Sequence, residues 1–128
     1  MNGQSAQPDR RSVSDLLVVD APNPLAMSDS DALAEICGQV FPPSASVWRA
    51  ADFASYAAAS TSTVVVARSA GNVCGGAVVQ IVPGDPNSEV ADAEAELLTI
   101  FRATGSAGCG VGSAILDHIL KICAERQV

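Results

Sequence analysis

The chain is short of aromatic and of basic side chains. Its 128 residues include three Phe, one Trp and one Tyr, and seven Lys and Arg stand against fourteen Asp and Glu, for a net charge of −7. A protein that binds a nucleic-acid backbone needs a basic patch, because its affinity comes from neutralising phosphates and releasing counterions. The composition therefore argues against a nucleic-acid partner and favours a cationic ligand such as an amine or a peptide.

Long apolar runs and metal-ligand motifs are also missing. No run approaches the roughly 20 residues that span a bilayer, and residues 1–15 lack the apolar core of a signal peptide. We therefore expect a cytoplasmic protein with no membrane partner. Because there is no CxxC pair and only one histidine, we expect no metal site and reduced, structural thiols. The four cysteines are Cys37, Cys74, Cys109 and Cys123.

The residues that are present fit one small α/β domain. Hydrophobic residues make up 48% of the chain. Since aromatics are scarce, Val, Ile, Leu and Ala must fill the core, as is common in α/β proteins. Residues 1–14 are polar and contain Pro8, which predicts a flexible N-terminal tail. We expect residues 15–128 to form the single domain.

The apolar spacing predicts four strands and three helices. Strands are expected at 16–19, 63–67, 73–82 and from Glu94 onward, with the second and third joined as a hairpin by the turn at 70–72. Helices are expected from a cap at Ser28 or Asp29 to Val40, over 49–60, and over 112–126.

Alternation and helical spacing also predict which side chains share a face. In the last strand, one face is expected to carry Ala95, Leu97, Thr99 and Phe101, and the other Glu96, Leu98 and Ile100. In the last helix, a broad apolar face is expected from Ile115, Leu116, Ile119, Leu120, Ile122 and Cys123. The side chains expected to face solvent are Ser113, Asp117, Lys121 and Glu125. His118 is also expected at the surface.

The most informative segment is a strand that leads through a glycine-rich turn, GSAGCGVGS, into the last helix. Free backbone N–H groups at the positive end of a helix dipole bind phosphate groups. This order of elements therefore predicts an anionic, phosphorylated ligand. The alternative is that the glycines serve only tight packing at the corner.

Two other phosphate-binding motifs do not fit this turn. A Walker A loop is excluded because no Lys-Ser or Lys-Thr pair follows the glycines. A dinucleotide-binding fingerprint is nearly matched at residues 108–113, but that fold needs an acidic residue about 20 residues later on a second strand. Only sixteen residues follow Gly112.

Four segments, taken in order, carry a resemblance to a known family. They are CGQVFPPSASVW, TVVVARSAGNVCGGAVVQ, AEAELLTI and GSAGCGVGSAIL, the last leading into a helix. Together they resemble the GNAT N-acetyltransferases, and within them the bacterial ribosomal-protein-alanine N-acetyltransferases. The resemblance covers about residues 13–128.

This resemblance implies a fold and an activity. The implied fold is mixed α/β, with a mostly antiparallel sheet of about four strands and three helices, and without the C-terminal strands of the full family fold. The implied activity is that of an acyltransferase that moves an acetyl group from acetyl-CoA to an amine, here a protein N-terminal α-amine. The alternative is a non-catalytic form of this fold that binds CoA or a partner protein.

The resemblance also implies site residues. By position, those that bind acetyl-CoA are Ile100, Phe101 and Arg102 at the strand end and Gly108, Cys109, Gly110, Val111, Gly112 and Ser113 in the loop. Glu96, beside that strand, is expected to bind the amine substrate. The family's general base and general acid lie in a continuation beyond Val128, so no catalytic residue is assigned.

Two further expectations come from this comparison. The family usually has a basic residue two places before the first motif glycine, where this sequence has Gly108. One charge-assisted bond to phosphate is therefore expected to be missing from the loop. The last strand is expected to have an unpaired apolar edge, which predicts a homodimer through strand pairing or swapping, or else poor solubility.

Overall fold

Four antiparallel strands form one sheet in a computed structural model of the chain, which describes residues 17–45, 47–82, 94–106 and 110–126. The strands are β1 (Leu17–Asp20), β2 (Ser62–Ser69), β3 (Asn72–Val82) and β4 (Glu94–Arg102), and they pair in that order. The helices are α1 (Met27–Val40), α2 (Ala50–Ala58) and α3 (Val111–Glu125), with a short 3-10 turn at Thr104–Ser106. The mixed α/β fold predicted from the sequence is confirmed. The predicted tail at 1–14 lies outside the described residues.

The sheet separates two apolar cores. On the α1 and α2 side the buried residues are Leu33, Ile36, Cys37, Phe53, Ala57, Val64, Val66, Val78 and Phe101. On the α3 side they are Val65, Ala67, Cys74, Ala77, Val79, Ile81, Val111, Ile115 and Ile119. Both faces of β2 and β3 are covered, so their apolar residues run on without polar alternation, as in the segment VVVA.

The apolar face of α3 is narrower than the sequence predicts. Val111, Ile115 and Ile119 are buried, but Leu116 and Leu120 are 45% and 66% exposed. A helix that lies on a single sheet buries only the stripe that faces the sheet, and these two leucines lie outside that stripe. The polar residues predicted to face solvent are exposed, as expected. They are Ser113, Asp117, Lys121 and Glu125.

The start of α1 also differs from the prediction. The helix begins at Met27, its N-cap is Ala26, and no side chain caps it. The predicted caps at Ser28 and Asp29 are wrong. The Asp29 carboxylate instead accepts two hydrogen bonds from the Arg68 guanidinium on β2, at 2.7 and 2.8 Å.

This ion pair joins the first turn of α1 to the sheet. The two side chains are largely buried, at 13% exposure for Asp29 and 24% for Arg68. Hydrogen bonding to Arg68 lowers the pKa of Asp29 below the ordinary value of 3.8, and burial opposes this only in part. Because the folded pKa is the lower one, the pair stabilises the fold above about pH 4. That stabilisation is lost as the pH falls through the lowered pKa.

We predict that Asp29→Asn lowers the free energy of unfolding at pH 7 by about 1–3 kcal/mol, because Arg68 is left partly buried without its counter-charge. The difference from wild type should shrink as the pH falls below about 4. Urea unfolding from pH 7 to pH 3 measures it. Asp31→Asn is the matched control, since Asp31 is an exposed residue of the same helix. A pH-independent difference, or an equal effect of the control, would contradict this account.

Candidate active site

Strand β4 contains a bulge that resets the alternation of its side chains. Thr99 is opposite Val78 and Leu97 is opposite Val79, so Leu98 is the extra residue. A residue inserted in this way shifts all those before it to the other face. Leu98 consequently packs against the core that contains Phe101, whereas Ile100 packs against the core on the α3 side. The predicted grouping of Leu98 with Ile100 is therefore wrong.

The bulge also decides which face of the sheet carries Glu96. Glu96 is paired with Gln80, whose neighbours Val79 and Ile81 are buried on the α3 side. Directly paired residues share a face, and successive residues alternate. Glu96 therefore lies on the face that carries α1 and α2, and its side chain is exposed.

The second edge of β4 is unpaired within the part of the chain that the structure describes. One edge of β4 bonds to β3, and no described strand pairs with the other. An edge of this kind presents a row of backbone N–H and C=O groups to any extended ligand. The edge runs up to Arg102, just before the segment that leads into α3.

Helix α3 starts from a glycine in a left-handed conformation. Gly110 is its N-cap, with φ 76° and ψ 16°, and no side chain caps the helix. The first intrahelical bond runs from the N–H of Ala114 to the Gly110 carbonyl, at 3.0 Å. The preceding N–H groups of residues 111–113 make no hydrogen bond to a described residue. These donors stand at the positive end of the helix dipole, where anions are favoured.

Tight packing does not explain the glycines that the structure describes at this corner. A Cβ atom added at Gly110 or at Gly112 would meet no atom within 4 Å. The positive φ at position 110 favours glycine, because a residue with a Cβ atom is strained in this conformation. Gly112 borders open space. Packing among the described residues therefore does not account for either glycine.

A different glycine brings β4 and α3 together. A Cβ on Gly75 in β3 would lie 2.8 Å from the Phe101 carbonyl oxygen, 3.0 Å from Val111 Cγ1 and 3.3 Å from Arg102 Cα. Since no side chain fills this point, the end of β4 and the first residue of α3 both lie against the same spot on β3. The two parts of the predicted acetyl-CoA site are thus neighbours in space.

The predicted site residues divide into two groups. Those placed together at this corner are Ile100, Phe101 and Arg102 on β4, and Gly110, Val111, Gly112 and Ser113 at the start of α3. Gly108 and Cys109 lie outside the described residues. The side chains of Phe101 and Val111 are buried, at 6% and 1% exposure, so these two can offer a ligand only backbone groups.

An aromatic group next to this site is not apparent from the sequence. All five aromatic residues of the chain are linked by ring contacts. Phe101 meets Phe41 and Phe53 at centroid distances of 6.2 and 5.9 Å. Trp48 meets Phe53 and Tyr56 at 5.5 and 5.6 Å. No regular spacing connects these residues, so only the fold reveals the group.

A cavity of about 280 Å³ opens beside the aromatic group. It is lined mainly by apolar residues of α1 and of the connection to α2: Cys37, Phe41, Pro42, Pro43, Val47 and Trp48 among them. Burial raises the pKa of the Cys37 thiol to about 11, so this thiol is protonated at neutral pH and is not a nucleophile. The cavity is therefore suited to apolar contact rather than to covalent chemistry.

The remaining candidate groups do not form a reactive cluster. The described cysteines, Cys37, Cys74 and Cys123, form no disulfide with one another. Within the described ranges, no three His, Cys, Asp or Glu side chains converge as metal ligands. Nor does any described helix combine the length and the apolar character needed to cross a membrane.

The comparison with protein families decides what this architecture is. The model of the acetyltransferase (GNAT) family matches residues 30–128. The chain belongs to the GNAT acetyltransferase family. Members of this family use acetyl-CoA as the acetyl donor and transfer the acetyl group to an acceptor substrate. Among curated proteins, none matches this sequence.

Solved structures agree on the GNAT fold. An aminoglycoside acetyltransferase from an uncultured soil metagenomic sample, in complex with trehalose, superposes with a TM-score of 0.70 at 17% identity, over 90% of this chain and 74% of its own. A ribosomal-protein-alanine N-acetyltransferase from Brucella melitensis gives 0.64 at 16% identity, over 87% and 74%. A predicted acetyltransferase from Clostridium acetobutylicum, solved with acetyl-CoA, gives 0.64 at 14% identity, over 88% and 76%. At these identities the agreement concerns the fold.

We predict that the two described glycines of this corner respond differently to alanine. Gly110→Ala should lower the free energy of unfolding by about 1 kcal/mol, because its φ is left-handed. Gly112→Ala should leave stability unchanged or raise it slightly, since its Cβ meets nothing and alanine favours helix. Urea unfolding of both variants measures the difference. A loss of stability in Gly112→Ala would mean that this glycine is needed for packing after all.

Proposed function

We propose that this GNAT domain transfers the acetyl group of acetyl-CoA to the α-amine at a protein N-terminus. The observation that carries the proposal is the corner where β4 ends and α3 begins. There, backbone donors at the positive end of a helix adjoin an unpaired strand edge. A diphosphate joined to an extended amide-bearing arm needs both features.

The diphosphate of the donor is assigned to the loop and the first turn of α3. Backbone N–H groups at a helix start bind phosphate through hydrogen bonds and through the dipole. The residues assigned to this role are Gly108, Cys109, Gly110, Val111, Gly112 and Ser113. Within this set, the open space at Gly112 supports a ligand close to the main chain.

The pantetheine arm is assigned to the free edge of β4 through the backbone of residues 100–102. Extended amide groups can add to such an edge as a further strand does. When bound, acetyl-CoA supplies a thioester whose carbonyl carbon a neutral amine attacks, with the CoA thiolate leaving. Strand N–H groups aimed at the thioester oxygen would stabilise the charge that develops on it.

The acceptor is assigned to the face of the sheet that carries α1 and α2. Glu96 projects on this face, and the apolar cavity beside Trp48 lies among the same elements. The chain's net charge of −7 favours the approach of a cationic amine. The ribosomal-protein-alanine N-acetyltransferase among the similar structures supports a protein N-terminus as acceptor.

An α-amine is also the acceptor that makes the least demand on a general base. Its pKa is about 7.7–8.0, so roughly a tenth is neutral and reactive at pH 7. For a lysine amine, with a pKa near 10.4, the neutral fraction at pH 7 is lower by roughly a few hundredfold. No described side chain has been assigned as a base. Holding the two reactants together can by itself lower the activation barrier by about several kcal/mol.

The proposal is tested by acetyl transfer to a short peptide that begins with Ala. We expect transfer to this peptide and much less to the same peptide with a blocked N-terminus and an internal Lys, as measured by mass spectrometry. Titration calorimetry with acetyl-CoA runs beside the assay. Binding without transfer would favour a non-catalytic CoA-binding domain, and transfer to an aminoglycoside instead would reassign the acceptor. If the protein neither binds acetyl-CoA nor acetylates the peptide, the proposal is overturned.

We predict that Glu96→Gln raises the KM for the cationic peptide several-fold and leaves the Kd for acetyl-CoA unchanged. The carboxylate lies on the acceptor face, so its charge acts on the amine rather than on the donor. Steady-state kinetics at saturating acetyl-CoA measure the effect. Glu125→Gln, at the far end of α3, changes charge equally and should have no effect. Equal behaviour of the two variants would remove Glu96 from the acceptor site.

Two expectations from the sequence stay predictions. They are the cytoplasmic location and a homodimer formed through the free edge of β4. The dimer and the pantetheine arm would compete for the same backbone groups, so acetyl-CoA should dissociate such a dimer.

A further inference from the structure

The stretch from Leu97 to Leu116 has a single charged residue although the chain as a whole is strongly acidic. That residue is Arg102. It is also the only Lys or Arg between Arg68 and Lys121. The segment that forms the proposed donor site therefore has one cation and no carboxylate. An anionic ligand bound to this segment is therefore repelled less than one bound where acidic side chains are clustered.

Arg102 lies on the same face of the sheet as the start of α3. It is the cross-strand partner of Gly75, and paired residues share a face. A Cβ on Gly75 would lie 3.0 Å from Val111 Cγ1 and 3.3 Å from Arg102 Cα. Because both atoms are close to the same point, the backbone of Arg102 adjoins the first residue of the helix. Its side chain is exposed rather than packed away.

The guanidinium of Arg102 is not engaged in an ion pair with any described carboxylate. Arg68 on β2 shows the contrast, since it is held by two hydrogen bonds to Asp29. An arginine presents up to five N–H donors in a planar fork that matches the oxygens of a phosphate group. Arg102 is therefore exposed, has no ion pair with a described carboxylate, and has its backbone beside the first residue of α3.

We propose that the side chain of Arg102 binds the diphosphate of acetyl-CoA, together with the first N–H groups of α3. This inference rests on the proposed function, because it assumes that the donor occupies this corner. The resemblance implies a family position with a basic residue where this sequence has Gly108, so one charge is expected to be missing from the loop. A cation at the end of β4 supplies the missing charge from the adjacent strand.

The test compares the affinity of CoA for wild type, Arg102→Met and Arg102→Lys. Methionine retains an apolar stem and removes the charge. We expect Arg102→Met to raise the Kd for CoA by about 10- to 100-fold, and Arg102→Lys to raise it less, since lysine retains the charge without the fork. Arg126→Met is the matched control, because Arg126 is an exposed arginine at the opposite end of α3. The control should bind as wild type does.

The phosphate that Arg102 contacts is identified with dephospho-CoA, which keeps the diphosphate and lacks the 3′-phosphate. We expect Arg102→Met to raise the Kd for dephospho-CoA by the same factor as the Kd for CoA. A loss confined to CoA would mean that the guanidinium contacts the 3′-phosphate and would overturn the assignment. Rising salt should weaken CoA binding more steeply in wild type than in Arg102→Met, because one fewer charge contact is screened in the variant.

Failure of this inference and failure of the proposed function are separable. If wild type binds CoA and Arg102→Met binds equally well, Arg102 has no part in the site while the donor site stands. If wild type binds neither CoA nor dephospho-CoA, the donor site itself is wrong. Urea unfolding of each variant shows whether it is folded under the binding conditions, so a loss of affinity can be attributed to the side chain.

Discussion

Two consecutive glycines in β3 set the approach of both helical layers to the sheet. A Cβ on Gly76 would lie 2.6 Å from Leu33 Cδ2 on one side, and a Cβ on Gly75 would lie 3.0 Å from Val111 Cγ1 on the other. Distances this short leave no room for a side chain. With hydrogen at both positions, α1 and the start of α3 pack directly onto the backbone of β3. The end of β4 is held at the same place. The end of β4 and the start of α3 are therefore close enough to bind one ligand.

Much of this arrangement could be predicted from local sequence because local physics determines it. The apolar runs of β2 and β3 predict strands buried on both faces, and the glycine turn predicts the start of α3 to within one residue. The corner proposed to bind the diphosphate was predictable for the same reason. A positive φ and a helix start depend on a few consecutive residues, of which Gly110 is the decisive one.

The predictions that were wrong involve partners distant in sequence. Asp29 looks like a helix cap until Arg68, 39 residues away, takes its carboxylate. Leu98 changes face because of how β4 pairs with β3, which no pattern inside β4 contains. Leu116 and Leu120 fit an apolar face, but the width of the buried stripe is set by the sheet beneath the helix. Periodicity gives the side chains that could be buried, and the packing partner decides which of them are.

The aromatic group gives the two halves of the proposed reaction a common support. Phe101 on β4 contacts Phe41, which lines the cavity on the acceptor face, and Phe53, which contacts Trp48 in the same cavity wall. The backbone of Phe101 belongs to the strand edge assigned to the donor. One side chain thus fixes the donor strand against the connection between α1 and α2. Since well-packed aromatic contacts resist small displacements, the distance between the proposed donor and acceptor positions is set by the core rather than by the loops.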